Sequence, residues 1–107
     1  MKYFWIILFA LPLFGQTFSF EKLKSNSEAS FRGLDVISSK TAWVSGTGGT
    51  VLKTNDGGNT WENVSVPNNI AVDFRDIEVF DKNKAIVMGI SSPAKFYKTI
   101  NGGKSWE

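Results

Sequence analysis

The sequence predicts an all-β chain built from the four-stranded antiparallel blades of a β-propeller. Three observations carry this. The stretch TNDGGNTW, Thr54 to Trp61, returns as TINGGKSW, Thr99 to Trp106. The segment FRGLDVISSKTAWVSG, Phe31 to Gly46, aligns without a gap on FRDIEVFDKNKAIVMG, Phe74 to Gly89. No stretch after Gly15 has a convincing helical period. The offset is 43 residues at the Phe and 45 at the Trp. A period in the forties made of short alternating segments suits a blade of four strands.

In chain order, Met1-Lys2 is a short basic start, and Tyr3 to Phe14 is an apolar run broken only by Pro12. Twelve residues are too few to cross a bilayer, which needs about 20. A basic start, a short apolar core and a small residue at its end read as a secretory signal over residues 1–15, with cleavage near Gly15. The competing readings are an N-terminal membrane anchor and a buried strand. Removal of Lys2 brings the mature chain close to neutral.

Residues 16–30 follow. Phe20-Glu21-Lys22-Leu23 precedes Phe31 as Trp61-Glu62-Asn63-Val64 precedes Phe74. That places the fourth strand of a closing blade ahead of the first repeat. Blade one, residues 31–73, reads as strands at Gly33–Ile37, Thr41–Ser45, Thr50–Thr54 and Trp61–Val66, with turn residues between them. Blade two, residues 74–107, gives Asp76–Phe80, Lys84–Met88, Lys95–Thr99 and a fourth strand starting at Trp106. It is incomplete. About two blades are present, where propellers have roughly four to eight. The expectation is an N-terminal fragment of a propeller of about six to eight blades. Such a piece leaves sheet edges and apolar blade faces in water, so the isolated chain is expected to aggregate or to unfold without cooperativity.

The repeated turn needs its residue types. Gly57 and Gly58 permit positive φ. Asp56 can accept hydrogen bonds from nearby backbone N–H groups, and Asn101 keeps an acceptor oxygen without the charge. Trp61 and Trp106 supply large apolar faces, with Trp43 beside them as a holder of the blades.

Composition excludes more than it assigns. The chain has 107 residues, 12 Lys and Arg against 10 Asp and Glu, and a net charge of +2. No basic run exists to track phosphates, so no nucleic-acid partner is expected. The absence of Cys and His removes disulfides, thiolate nucleophiles, Ser-His-Asp triads and His or Cys metal sites. No metal and no cofactor is expected. Gly46-Thr47-Gly48-Gly49 ahead of Lys53-Thr54 lacks the glycine a phosphate loop needs before its lysine, and no helix follows. A hairpin turn is expected there.

Thr54-x-Asp56-x-Gly58-x-Thr60-Trp61 matches the Asp-box, or bacterial neuraminidase repeat, and Thr99-x-Asn101-x-Gly103-x-Ser105-Trp106 matches with one substitution. The wider pattern FRGLDVISSKTAWVSGTGGTVLKTNDGGNTW resembles the propeller of photosystem II stability and assembly factors, over residues 31–107. The resemblance implies that the box residues are structural, at the turn between the third and fourth strands. It also implies an exported scaffold, periplasmic or extracellular, that binds a protein or peptide and spans no membrane once its signal is removed. The photosynthetic members use a basic surface with arginines from several blades. Arg32 and Arg75 occupy matching blade positions and are candidates for such a surface; the other reading pairs each with a neighbouring carboxylate.

The alternative is a sialidase-like glycoside hydrolase whose catalytic residues lie in further blades. Sialidases share the box and use an arginine cluster, a Tyr nucleophile assisted by Glu, and an acid/base Asp. Phe31-Arg32 keeps only the first two residues of their arginine signature, and the pair recurs as Phe74-Arg75. Nothing pairs Tyr97 with a Glu. The residues shown hold no catalytic constellation, so a binding role is preferred to an enzymatic one.

Overall fold

The computed structural model describes residues 19–107. The expected signal, residues 1–15, lies outside the described residues. Within them, two antiparallel sheets follow one another along the chain. Strands β1 (Phe31–Val36), β2 (Ala42–Gly46), β3 (Val51–Thr54) and β4 (Glu62–Asn63) form the first in that order. Strands β5 (Asp73–Val79), β6 (Ala85–Ile90) and β7 (Lys95–Thr99) form the second. The all-β expectation holds, with antiparallel sheets of four and three strands.

The repeat is visible in the register. Val44 stands opposite Leu34 and Leu52, and Val87 stands opposite Ile77 and Tyr97. The turns between first and second strands are closed alike. Ser38 Oγ accepts from the N–H groups of Lys40 and Thr41 at 3.2 and 3.0 Å. Asp81 Oδ1 accepts from Asn83 and Lys84 at 2.7 and 2.9 Å. Those two backbone N–H groups, Asn83 first, hold the Asp81 carboxyl below its ordinary value.

Most strand bounds shift by a residue or two, and the larger differences have physical reasons. The first strand of each blade begins earlier, at Phe31 and Asp73, because its pairing continues across a β-bulge. The fourth strand of blade one is two residues long instead of reaching Val66. Val64 N–H still donates to Val51 O at 2.9 Å, but Val51 N–H donates to Ser65 Oγ at 2.9 Å. A side-chain hydroxyl thus replaces a backbone carbonyl and ends the ladder. Residues 20–23 form no strand; Leu23 packs on the turn glycine Gly58, whose added Cβ would meet Leu23 Cδ1 at 2.4 Å. At the far end, Glu107 and Lys98 exchange both backbone hydrogen bonds, at 2.8 and 2.9 Å, as a fourth strand would.

The core lies between the sheets. Trp43, Val51 and Val64 from the first face Ile77, Ala85 and Val87 from the second. Trp43 is fully buried and meets Trp106 edge-on, with ring centroids 6.4 Å apart. Polar bonds fix the sheets' relative position. Ser45 Oγ donates to Phe74 O at 3.1 Å, and Asp35 Oδ2 accepts from Val79 N–H at 2.7 Å. Lys53 Nζ donates to Gly102 O at 2.9 Å, and Trp106 Nε1 donates to Val64 O at 2.8 Å. The first strands approach so closely that a Cβ on Gly33 would lie 3.1 Å from Ile77 N.

Candidate functional site

The two box turns are built alike. In the first, Thr54 Oγ1 donates to Asp56 Oδ1 at 2.8 Å and accepts from Gly58 N–H at 2.9 Å. Asp56 Oδ1 accepts from Thr60 N–H at 2.9 Å, and Asp56 Oδ2 accepts from Thr60 Oγ1. The second turn repeats the pattern. Thr99 Oγ1 donates to Asn101 Oδ1 and accepts from Gly103 N–H, both at 2.9 Å, and Ser105 N–H donates to Asn101 Oδ1 at 3.0 Å. One bond reverses. The Asn101 amide donates to Ser105 Oγ at 2.7 Å, where Thr60 donates to the carboxylate.

Gly58 and Gly103 sit at φ of 92° and 86°, in the region that favours glycine. The Thr60 hydroxyl and N–H, then the Thr54 hydroxyl, lower the Asp56 carboxyl from 3.8 to about 2. Every acceptor oxygen of Asp56 is engaged within its own turn. The turns also clasp the neighbouring turn at the same end of the sheet, between its first and second strands: Gly57 N–H donates to Lys40 O and Gly102 N–H to Asn83 O, each at 2.9 Å. Trp61 is half-buried and donates Nε1 to Gly58 O at 3.1 Å.

The two arginines lie on the first strand of each sheet, the edge opposite the strand that follows the box. Each is the extra residue of a β-bulge. Phe31 and Gly33 pair with Gly46 and Ser45, and Arg32 is left between them; Phe74 and Asp76 pair with Gly89 and Met88, and Arg75 is left between them. A bulge leaves one residue outside the ladder and re-aims its side chain.

Both side chains turn to one carboxylate. Arg75 Nε donates to Asp73 Oδ2 at 3.2 Å, and Arg32 Nε lies 3.7 Å from the same oxygen. The arginine side chains are 45% and 52% exposed, so this shared pairing is worth on the order of 0–1 kcal/mol per contact. Two guanidinium groups against one carboxylate leave a net positive charge. Among the described residues no Nη group of either fork has a hydrogen-bond acceptor. What the arrangement can do is bind an anion bidentately.

Sequence reasoning missed Asp73. The signal was available: Asp73 and Arg75 are two apart on a strand and so share a face, while Ser30 holds the matching place ahead of Phe31. Tyr97 is no exposed nucleophile. It is partly buried, donates its hydroxyl to Asn69 Oδ1 at 3.0 Å and packs edge-on against Phe74. Among the described residues no group of side chains is arranged to hold a metal ion, and no helix is long and apolar enough to cross a membrane.

Comparison with known proteins agrees with this architecture. The family model described as photosynthesis system II assembly factor YCF48 matches residues 13–98. The photosystem II assembly protein Ycf48 of Synechococcus sp. (strain JA-3-3Ab) is 40% identical over 47 residues, which are 44% of this chain and 14% of that protein. The solved structure of YCF48 bound to D1 peptide superposes with a TM-score of 0.64 at 26% identity, over 79% of this chain and 28% of that one. YCF48 from Cyanidioschyzon merolae gives a TM-score of 0.65 at 26% identity, over 81% of this chain and 28% of that one. This chain therefore spans less than a third of the length of these relatives.

Proposed function

This chain belongs to the family of photosynthesis system II assembly factor YCF48, and on that premise we propose that it is an exported β-propeller scaffold that holds a protein or peptide partner by an acidic group. The observation that carries the reading is the pair of matching bulge arginines drawn to one carboxylate. Asp73 occupies the place a partner's carboxylate takes on binding, and the partner gains both guanidinium forks. Export rests on the basic start and apolar core of residues 1–15. A mature N-terminus near Gly15, read by mass spectrometry of the secreted chain, is the expected result; an intact Met1 would overturn it.

The binding experiment uses the full chain and a labelled D1 peptide, the ligand held by the solved YCF48 relative. Arg32→Ala and Arg75→Ala should each weaken binding by about 1.5–3 kcal/mol, the range for a hydrogen bond to a charged group. Asp73→Asn should strengthen it by removing the competing carboxylate. Affinity should fall as salt rises. A double arginine variant that binds as tightly as the native chain would defeat the assignment of this site.

A further inference from the structure

Asn101-Gly102 is the single Asn-Gly pair in the sequence. Such a pair is chemically labile, because glycine has no side chain to shield its nitrogen or restrict its backbone. The Gly102 nitrogen attacks Asn101 Cγ. The N–Cγ bond forms, the Cγ–Nδ2 bond breaks, and ammonia leaves with the Gly102 amide proton. Water then opens the cyclic imide and returns a proton to the Gly102 nitrogen. Hydroxyl added at Cγ gives aspartate. Hydroxyl added at the main-chain carbonyl carbon gives isoaspartate, whose backbone is longer by one carbon.

The closed turn holds both reacting groups. Gly102 N–H donates to Asn83 O at 2.9 Å. Asn101 Oδ1 accepts from Thr99 Oγ1 at 2.9 Å and from Ser105 N–H at 3.0 Å, and Asn101 Nδ2 donates to Ser105 Oγ at 2.7 Å. The turn is also fastened to the first sheet. Lys53 Nζ donates to Gly102 O at 2.9 Å, and Gly103 seats Val64, whose Cβ would lie 2.6 Å from an added Cβ. For the nitrogen to reach Cγ, the side chain must leave Thr99 and Ser105, and the N–H must leave Asn83.

We propose that Asn101 is a deamidation site controlled by the opening of its turn, and that the aspartyl product closes back into the turn that Asp56 already builds. Asp56-Gly57 stands at the matching place in the first turn, where the carboxylate accepts from Thr54 Oγ1 and from the N–H and hydroxyl of Thr60. An aspartate at position 101 meets the same donors in Thr99 and Ser105. The Ser105 hydroxyl has only to rotate, donating where it now accepts. Bonds to a carboxylate are stronger than those to the amide it replaces. The isoaspartyl product carries an extra main-chain carbon between Asn101 and Gly102 and does not fit the turn. The inference does not involve the arginines.

Peptide mapping by mass spectrometry tests it, with the full chain held at mildly alkaline pH in buffer and in concentrated urea. Conversion at Asn101 should be at least about tenfold slower in buffer, because it waits on a local opening. Ser105→Ala, at an exposed position, removes the bond from Nδ2. It should speed conversion in buffer and leave the rate in urea unchanged. Asn101→Asp supplies the aspartyl product directly. That chain should keep its β circular dichroism and melt no lower than the native chain at pH 7. It should lose more of its melting temperature on going to pH 3, as the lowered carboxyl of Asp56 implies. Equal rates in buffer and urea would overturn the proposal, and so would a chain that keeps its Asn101 amide in urea. A Ser105→Ala chain that converts no faster in buffer, or an Asn101→Asp chain that melts lower at pH 7, would overturn it too.

Discussion

At Asp56 a carboxylate is held ionised by its own turn. Its pKa is lowered to about 2 by Thr60 and Thr54, against 3.8 ordinarily. A depressed carboxylate contributes stability that is fully present above its unfolded value and is lost as pH falls through its folded value. The contribution therefore disappears between about pH 4 and pH 2. Asp56→Asn should remove that acid slope and leave the turn formed, because Asn101 already builds the second copy. Asp56→Ala should lower the melting temperature more than Asp56→Asn at neutral pH, since it also leaves Thr60 N–H without its acceptor. Thermal melts of the three chains at pH 3 and pH 7 check both. The hydrogen bonds and positive φ of the turn were legible in its residue types, because Asp56, Thr54 and Gly58 each have a bonding or conformational reason to be what they are. The arginines were legible only as a matching pair. Their bulges leave no mark in residue type, and Asp73 lies in the other sheet from Arg32, so their convergence belongs to packing.

Among the elements, the seats at the box glycines separate two otherwise similar substitutions. Gly103→Ala would place a Cβ 2.6 Å from Val64 Cβ, an atom fixed to the backbone of a paired segment. Gly58→Ala would place one 2.4 Å from Leu23 Cδ1, the end of a flexible side chain that is 45% exposed. Both incur about 1–2 kcal/mol for the left-handed backbone, and Gly103→Ala should cost clearly more in denaturant unfolding. Equal losses would mean that the backbone alone decides. Strand existence was legible from the alternation and the turn residues, and Lys95–Thr99 has the expected bounds. The early end of β4 was not, because Ser65 reads as an ordinary strand residue until its hydroxyl is seen to take a ladder bond. The start of β1 was missed for the related reason that pairing resumes beyond a bulge.

Over the whole molecule, the Trp43 indole lies at the centre of the contact between the two sheets. Trp43 is fully buried, lies edge-on to Trp106 and has the Lys53 ammonium 5.2 Å from its ring. Trp43→Ala should cost about 3–5 kcal/mol, the range for removing a buried aromatic side chain. Denaturant unfolding followed by circular dichroism should show the midpoint fall, and an unchanged midpoint would mean that the sheets are held by their backbone bonds. Period and pattern alone anticipated that two modules would stack. They did not show which face of each would be covered, because that depends on Gly33, Ser45 and Asp35 making close polar contacts across the interface. Finally, the residue that fills a box glycine always comes from earlier in the chain: Leu23 for Gly58, Val64 for Gly103. On the ribosome, which releases the N-terminal part first, Leu23 is made before Gly58 and Val64 before Gly103, so each of these two turns emerges with its contact already synthesised.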